Sequence, residues 1–217
     1  MWTFIVNWFV KITAYIPQKI VFRTKVYYQD KSAQSRKIKK QAIVVSNHRS
    51  LMDFAMLMFL FPFRILRCVV AEIMFRKNFL FTFFLKSMGA IKVEREIHDF
   101  SFLEKCEKLL AKNRVVEIFP EARLPKKGES LPLEFKPSTV YLSLSSGAPI
   151  IPVFTDGNYF TKKRNRVIVG TPFYAREYYE ESLTEKENIQ IITNKLREKI
   201  IELEHELSRK IERQHKN

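Results

Sequence analysis

Residues 42 to 60, AIVVSNHRSLMDFAMLMFL, pass from a β-branched apolar run through a polar turn into a second apolar stretch. Ala42 to Val45 reads as a short buried strand, and Ser50 to Leu60 as a helix followed by Pro62. The pattern repeats downstream. Cys68 to Ala71 and Ala90 to Glu94 read as strands around a very apolar helix, Phe79 to Ser87, that Gly89 stops. His98 to Lys112 is amphipathic, and Val115 to Phe119 is a buried strand before Pro120. A loop rich in Pro and Lys covers 120 to 137, a helix about 138 to 146, and strands Pro149 to Phe154 and Arg166 to Val169 close the set. Strands alternating with helices predict an α/β layer architecture.

The composition narrows the function classes. A chain of 217 residues with 46% apolar content holds one domain with a real core, and its interspersed charge excludes a polytopic membrane protein. The net charge of +15 calls for an anionic partner, either nucleic acid or anionic lipid. The first fifty residues carry ten Lys or Arg against the single acid Asp30, together with both Trp. The 19 Phe cluster with apolar runs, not with the basic clusters, which disfavours nucleic acid and favours lipid. Eleven Phe lie between Phe54 and Phe102, where they can build a core or line an acyl-chain groove. Two distant cysteines, Cys68 and Cys106, point to free thiols and a reducing compartment.

The N-terminal run MWTFIVNWFVKITAYI is apolar apart from Thr3, Asn7, Lys11 and Thr13, and Pro17 is predicted to end it. Sixteen residues reach roughly 24 Å, short of the about 30 Å hydrocarbon core. Thr3, Asn7 and Lys11 form a polar stripe that leaves a wide face with Trp2, Phe4, Trp8, Phe9 and Tyr15, the pattern of an interfacial helix. The alternative is a helix packed on the core by its aromatic face. The basic run Arg36, Lys37, Lys39 and Lys40 favours an anionic membrane surface. Residues 1–24 are therefore read as a membrane-interface anchor, 25–180 as the main domain, and 181–217 as an amphipathic C-terminal helix. Its stripe from Ile189 to Ile211 suits packing on the body or self-association.

His48 and Asp53 are five residues apart, about 140° around an ideal helix, so His48 must lie in the turn before it. From the first helical turn Asp53 can then accept from Nδ1 and leave Nε2 as a base. The competing reading is a capping box from Ser50 to Asp53. Backbone amides at this helix start are candidate oxyanion donors. Arg95 ends the strand of GAIKVER, where a guanidinium suits a phosphate. Glu121 and Arg123 project from the loop after IFP, and Pro152 reads alone as an edge-strand residue. No GxSxG elbow surrounds Ser143, Ser145 or Ser146, and His48, His98, His205 and His215 lack metal-ligand spacing.

In their order, NHRSLMD (47–53), GAIKVER (89–95), FPEAR (119–123) and IIPV (150–153) resemble the lysophospholipid acyltransferase superfamily, most closely 1-acylglycerol-3-phosphate O-acyltransferases. The resemblance covers roughly residues 40 to 170. It implies an αβ sandwich with a central mixed sheet flanked by helices. It also implies acyl transfer from an acyl-CoA or acyl-carrier-protein thioester to a lysophospholipid hydroxyl. The expected location is the cytoplasmic face of the cell membrane, and no cofactor or metal is expected. His48 would be the general base, Asp53 its orienting partner, Arg95 the acceptor-phosphate contact, and Glu121 part of the acceptor loop. The family usually has Gly after this Glu and Arg three places after it. Ala122, Arg123 and Leu124 depart from that pattern, so the loop is expected to follow another backbone path, with Lys126, Lys127 or Lys136 sharing the phosphate. Two rivals are an acyltransferase with an amino-lipid acceptor and a non-enzymatic basic protein binding membrane or nucleic acid.

Overall fold

A computed structural model describes residues 1–94 and 101–216. Its strands are β1 (Lys25–Tyr28), β2 (Ala42–Ser46), β3 (Leu66–Ala71), β4 (Ile91–Val93), β5 (Val115–Ile118), β6 (Ile150–Thr155) and β7 (Arg166–Val169). They form one seven-stranded sheet in the order β1-β7-β6-β2-β5-β3-β4. β6 and β7 are antiparallel and the other neighbours are parallel, so the sheet is mixed. β2 is buried at every position, as expected of a central parallel strand covered on both faces.

The helices are α1 (Trp2–Thr13), α2 (Tyr15–Phe22), α3 (Asp53–Leu60), α4 (Phe79–Met88), α5 (Ser101–Ala111), α6 (Ser138–Ser146) and α7 (Glu185–Lys216). On one face, Val45, Val116 and Ile150 pack with Leu103 of α5, Val140 of α6 and Leu196 of α7. On the other, Val44, Val115 and Ile151 pack with Phe22 of α2 and Leu57 of α3. This is the αβ sandwich that the alternating pattern and the resemblance predict. Ile192, Leu196, Ile200, Leu203 and Leu207 of α7 are buried in the first layer, which commits its stripe to the body rather than to a second copy.

Several local expectations change. Pro17 does not end the N-terminal helix. The break falls at Ala14, and Pro17 sits in the first turn of α2, where its missing N–H has no intrahelical partner in any case. Pro152 lies on interior strand β6, not on an edge. Its missing N–H falls just outside the antiparallel ladder with β7, which begins at Val153. α3 starts at Asp53 instead of Ser50, and β1 was not legible as a strand. The residues at 95–100, including Arg95 and His98, lie outside the described residues.

The polar stripe of α1 faces inward. Asn7 donates to the Met88 carbonyl at the end of α4 (3.0 Å), and the Lys11 ammonium donates to the carbonyls of Phe61 (3.0 Å), Pro62 (3.2 Å) and Arg64 (2.5 Å). Three donors thus meet three acceptors where the chain leaves α3. Phe4, Ile5, Phe9 and Ile12 are left exposed, while Trp2 at the start of the helix donates from Nε1 to the buried Ser87 hydroxyl of α4 (3.2 Å). Among the described residues no helix is long and apolar enough to cross a membrane.

Burial pushes the Lys11 ammonium down from 10.5 to about 8, against the opposing pull of Glu117. Below pH 8 both folded and unfolded chains hold the proton. Above it the folded chain releases first, so this group's contribution to stability rises with pH until the unfolded chain also deprotonates. The unfolding free energy of the wild type relative to Lys11→Met should therefore increase by about 2 kcal/mol between pH 7.5 and 10 in urea denaturation. A pH-independent difference would contradict this placement of the charge.

Candidate active site

β2, β5 and β6 are parallel neighbours, so their carboxyl ends, Ser46, Ile118 and Thr155, reach the same edge of the sheet. Open α/β sheets place their sites at such edges. Asn47 ties two of these ends together: its Nδ2 donates to the Thr155 carbonyl and its Oδ1 accepts from the Thr155 amide, both at 2.9 Å. His48 follows in the turn, its ring stacked on Phe119 at 4.4 Å between centroids.

The fully buried Asp53 carboxyl organises this turn. Oδ2 accepts from the amides of Arg49 (2.7 Å) and Ser50 (2.8 Å) and from His48 Nδ1 (2.9 Å). Oδ1 accepts from the Tyr159 hydroxyl at 2.7 Å. With Nδ1 the donor, the neutral imidazole carries its proton there and leaves Nε2 as a free acceptor. Only half of the capping box read from Ser50 to Asp53 forms, the Asp53 carboxyl accepting from the Ser50 amide. The Ser50 hydroxyl accepts from the Met52 amide, and the Asp53 carboxyl reaches back over the turn. Burial, then the adjacent Asp53, pushes the Tyr159 phenol well above its ordinary value, so it remains a donor.

Glu121 lies at the carboxyl end of β5 and is buried. Oε1 accepts from the His48 amide (2.8 Å) and Oε2 from the Leu133 amide (3.0 Å). Burial pushes its carboxyl upward, against those two bonds. Glu121 therefore holds the backbone of His48 against the acceptor loop. The amides of His48, Arg49 and Ser50 are all bound to carboxylates, so these three are not free as oxyanion donors. Beneath the turn, Glu117 of β5 is buried, and its carboxyl is pushed well above the ordinary range by burial and by Asp53.

In the loop after Glu121, Ala122 takes the left-handed backbone, φ 58°, that glycine adopts freely. It carries the cost of a Cβ in that region, about 1–2 kcal/mol. Arg123 forms a two-bond pair with Glu129, 2.7 Å on each arm, and Glu129 is thereby held down to about 2. Lys126 and Lys127 are exposed on the same loop. Lys136 lines a groove between α5, α6 and α7 with Phe102, Tyr141 and Lys186, whose lining includes none of the His48-site residues. The structure thus brings His48, Asp53 and Glu121 together and leaves Arg123 and the three lysines outside that cluster. Asn47, Phe119 and Tyr159 complete it. Asn47 and Phe119 lay inside quoted motifs without a role, whereas Tyr159 stands 106 residues from Asp53 with no spacing signal. Among the described residues no group of His, Cys, Asp or Glu is placed to hold a metal ion.

A family model described as Acyltransferase matches residues 23–156, more than half of the chain. The chain belongs to this acyltransferase family. It is 30% identical over 129 residues to a 1-acyl-sn-glycerol-3-phosphate acyltransferase of Bacillus subtilis (strain 168), a match covering 57% of this chain and 62% of that protein. A human 1-acyl-sn-glycerol-3-phosphate acyltransferase beta is 28% identical over 115 residues, covering 52% and 41%. The chain thus spans less than two thirds of each of these relatives. The crystal structure of the 1-acyl-sn-glycerophosphate (LPA) acyltransferase PlsC from Thermotoga maritima superposes with a TM-score of 0.58 at 18% identity, covering 90% of this chain and 78% of that one. At that identity the likeness concerns the fold.

In this chain, Tyr159→Phe removes one donor from a buried carboxyl and should lower stability by about 1.5–3 kcal/mol in urea denaturation. An unchanged midpoint would show that the Oδ1 bond does not support the turn.

Proposed function

We propose that this chain transfers a fatty acyl group from an acyl-CoA or acyl-carrier-protein thioester to the free hydroxyl of 1-acylglycerol-3-phosphate at a membrane surface. The observation that carries the reading is the His48–Asp53 bond at the carboxyl edge of the sheet, in a chain of the acyltransferase family. The curated relatives named for this acceptor support its identity.

In this reading, Nε2 of His48 takes the proton of the acceptor hydroxyl as its oxygen attacks the thioester carbonyl. The tetrahedral centre collapses, the C–S bond breaks, and the imidazolium returns the proton to the leaving thiolate. Asp53 stabilises the imidazolium and fixes its ring. One proton moves through one imidazole, so the reaction as written needs no further cofactor. The three amides of the turn are occupied, so the oxyanion donors come from elsewhere in the site.

Arg95, at the end of GAIKVER, is assigned the acceptor phosphate on the strength of the resemblance. Arg123 would have to leave Glu129 to share it, which makes Lys126 and Lys127 the freer cations of that loop. Residues 1–24 serve as the membrane-interface anchor in this account, 25–180 as the catalytic domain and 181–217 as its supporting helix. The exposed apolar faces of α1 and α4, with Phe9, Ile12, Phe79 and Leu80, support docking on one leaflet, which this reading takes to be the cytoplasmic one.

Thiol release from acyl-CoA and from acyl-carrier protein, measured with 1-acylglycerol-3-phosphate in mixed micelles, tests the reading. His48→Ala should lose ~1000-fold or more while retaining its unfolding transition. Wild-type turnover in a folded His48→Ala protein would contradict the mechanism.

A further inference from the structure

The apolar face of the N-terminal helices ends at a corner with a second kind of surface. Ile16 and Ile20 of α2 are exposed, and beside Ile20 lies the loop between β6 and β7. That loop presents Phe160, 69% exposed, followed by Lys162, Lys163 and Arg164, all exposed. Arg23 closes α2 and donates from Nη1 to the Lys162 carbonyl (3.3 Å), fastening helix end to loop. Lys19 and Arg23 share one shallow depression with Phe160.

Two observations separate this corner from an ordinary basic surface. Arg23 at φ 46° and Phe160 at φ 57° both hold left-handed backbones without being glycine, and the Phe160 ring is exposed. Among the described residues, none of the five cations is in an ion pair with an acid. Of the basic run read from the sequence, Lys37, Lys39 and Lys40 are also exposed. Arg36 is used inside the fold, donating to the carbonyls of Leu60 (2.6 Å) and Phe59 (2.8 Å) at the end of α3.

We infer that the 160–164 loop, with Lys19 and Arg23, is a docking surface for the headgroups of an anionic bilayer, and that Phe160 enters the interface beside Ile16 and Ile20. The inference rests on the membrane-surface reading above and names the contact that orients it. Unpaired cations complement anionic headgroups, and the outward aromatic and isoleucines complement the acyl boundary just beneath them. An acidic carrier protein would satisfy the cations alone.

The test is partitioning of the full chain onto phosphatidylcholine vesicles with and without phosphatidylglycerol. Each cation near an anionic surface strengthens binding about fivefold, so the triple variant Lys162→Gln, Lys163→Gln, Arg164→Gln should bind anionic vesicles ~100-fold more weakly, with neutral vesicles unaffected. Phe160→Asn, which tolerates the same backbone, should weaken binding to both by about tenfold. Both changes are at exposed positions, and unchanged thermal unfolding confirms the fold. Anionic-vesicle binding by the triple variant equal to wild type overturns the inference. So does an effect confined to turnover with acyl-carrier protein, which would assign the cluster to the carrier. Wild-type protein that binds neither vesicle overturns the membrane-surface reading itself.

Discussion

The buried carboxyl of Asp53 is the constraint on which the site depends. A carboxylate removed from water costs several kcal/mol unless donors replace the solvent, and here four do, at 2.7 to 2.9 Å. Three of them come from the turn between β2 and α3, and the fourth, Tyr159, from the loop after β6. That fourth bond forms only if β6 lies beside β2. Asp53 also occupies the first turn of α3, where the helix dipole favours negative charge. Sheet order, helix start and histidine orientation are therefore satisfied together.

The other end of α3 is held as firmly. Lys11 of α1 gathers the carbonyls of Phe61, Pro62 and Arg64, and Arg36 takes those of Phe59 and Leu60. A helix of eight residues thus has its first turn fixed by the histidine site and its last by the N-terminal helix. The outward apolar face of α1 is held at a set distance from His48 by this strut. Such coupling suits the proposed reaction at a membrane surface, in which the acyl chain and the proposed base must be presented to one another in register.

Much of this arrangement was legible in sequence. The buried strand at Ala42 to Val45 and the five-residue spacing from His48 to Asp53 place the histidine in the turn, within reach of the carboxyl that the structure bonds to it. The apolar stripe of α7 predicts its packing in the same way. The direction of the stripe on α1 was read with the right residues, but its meaning depends on acceptors at Phe61 and Arg64, fifty residues away. Tyr159 and Thr155 act through pairing of strands distant in sequence, which periodicity does not report. Ala122 shows the opposite limit. Its side chain argues against a left-handed backbone, yet the surrounding loop, with its amide bonded to Phe119 and Glu121 anchored at both oxygens, imposes one.

The central claim is that Asp53 fixes His48 with its proton on Nδ1 and presents Nε2 to the acceptor. The most direct measurement is ¹⁵N NMR of histidine-labelled protein, with the His48 signals assigned by comparison with His48→Ala. The account predicts that the neutral ring carries a protonated Nδ1 and an unprotonated Nε2. A neutral His48 protonated on Nε2, with Nδ1 free, would contradict it.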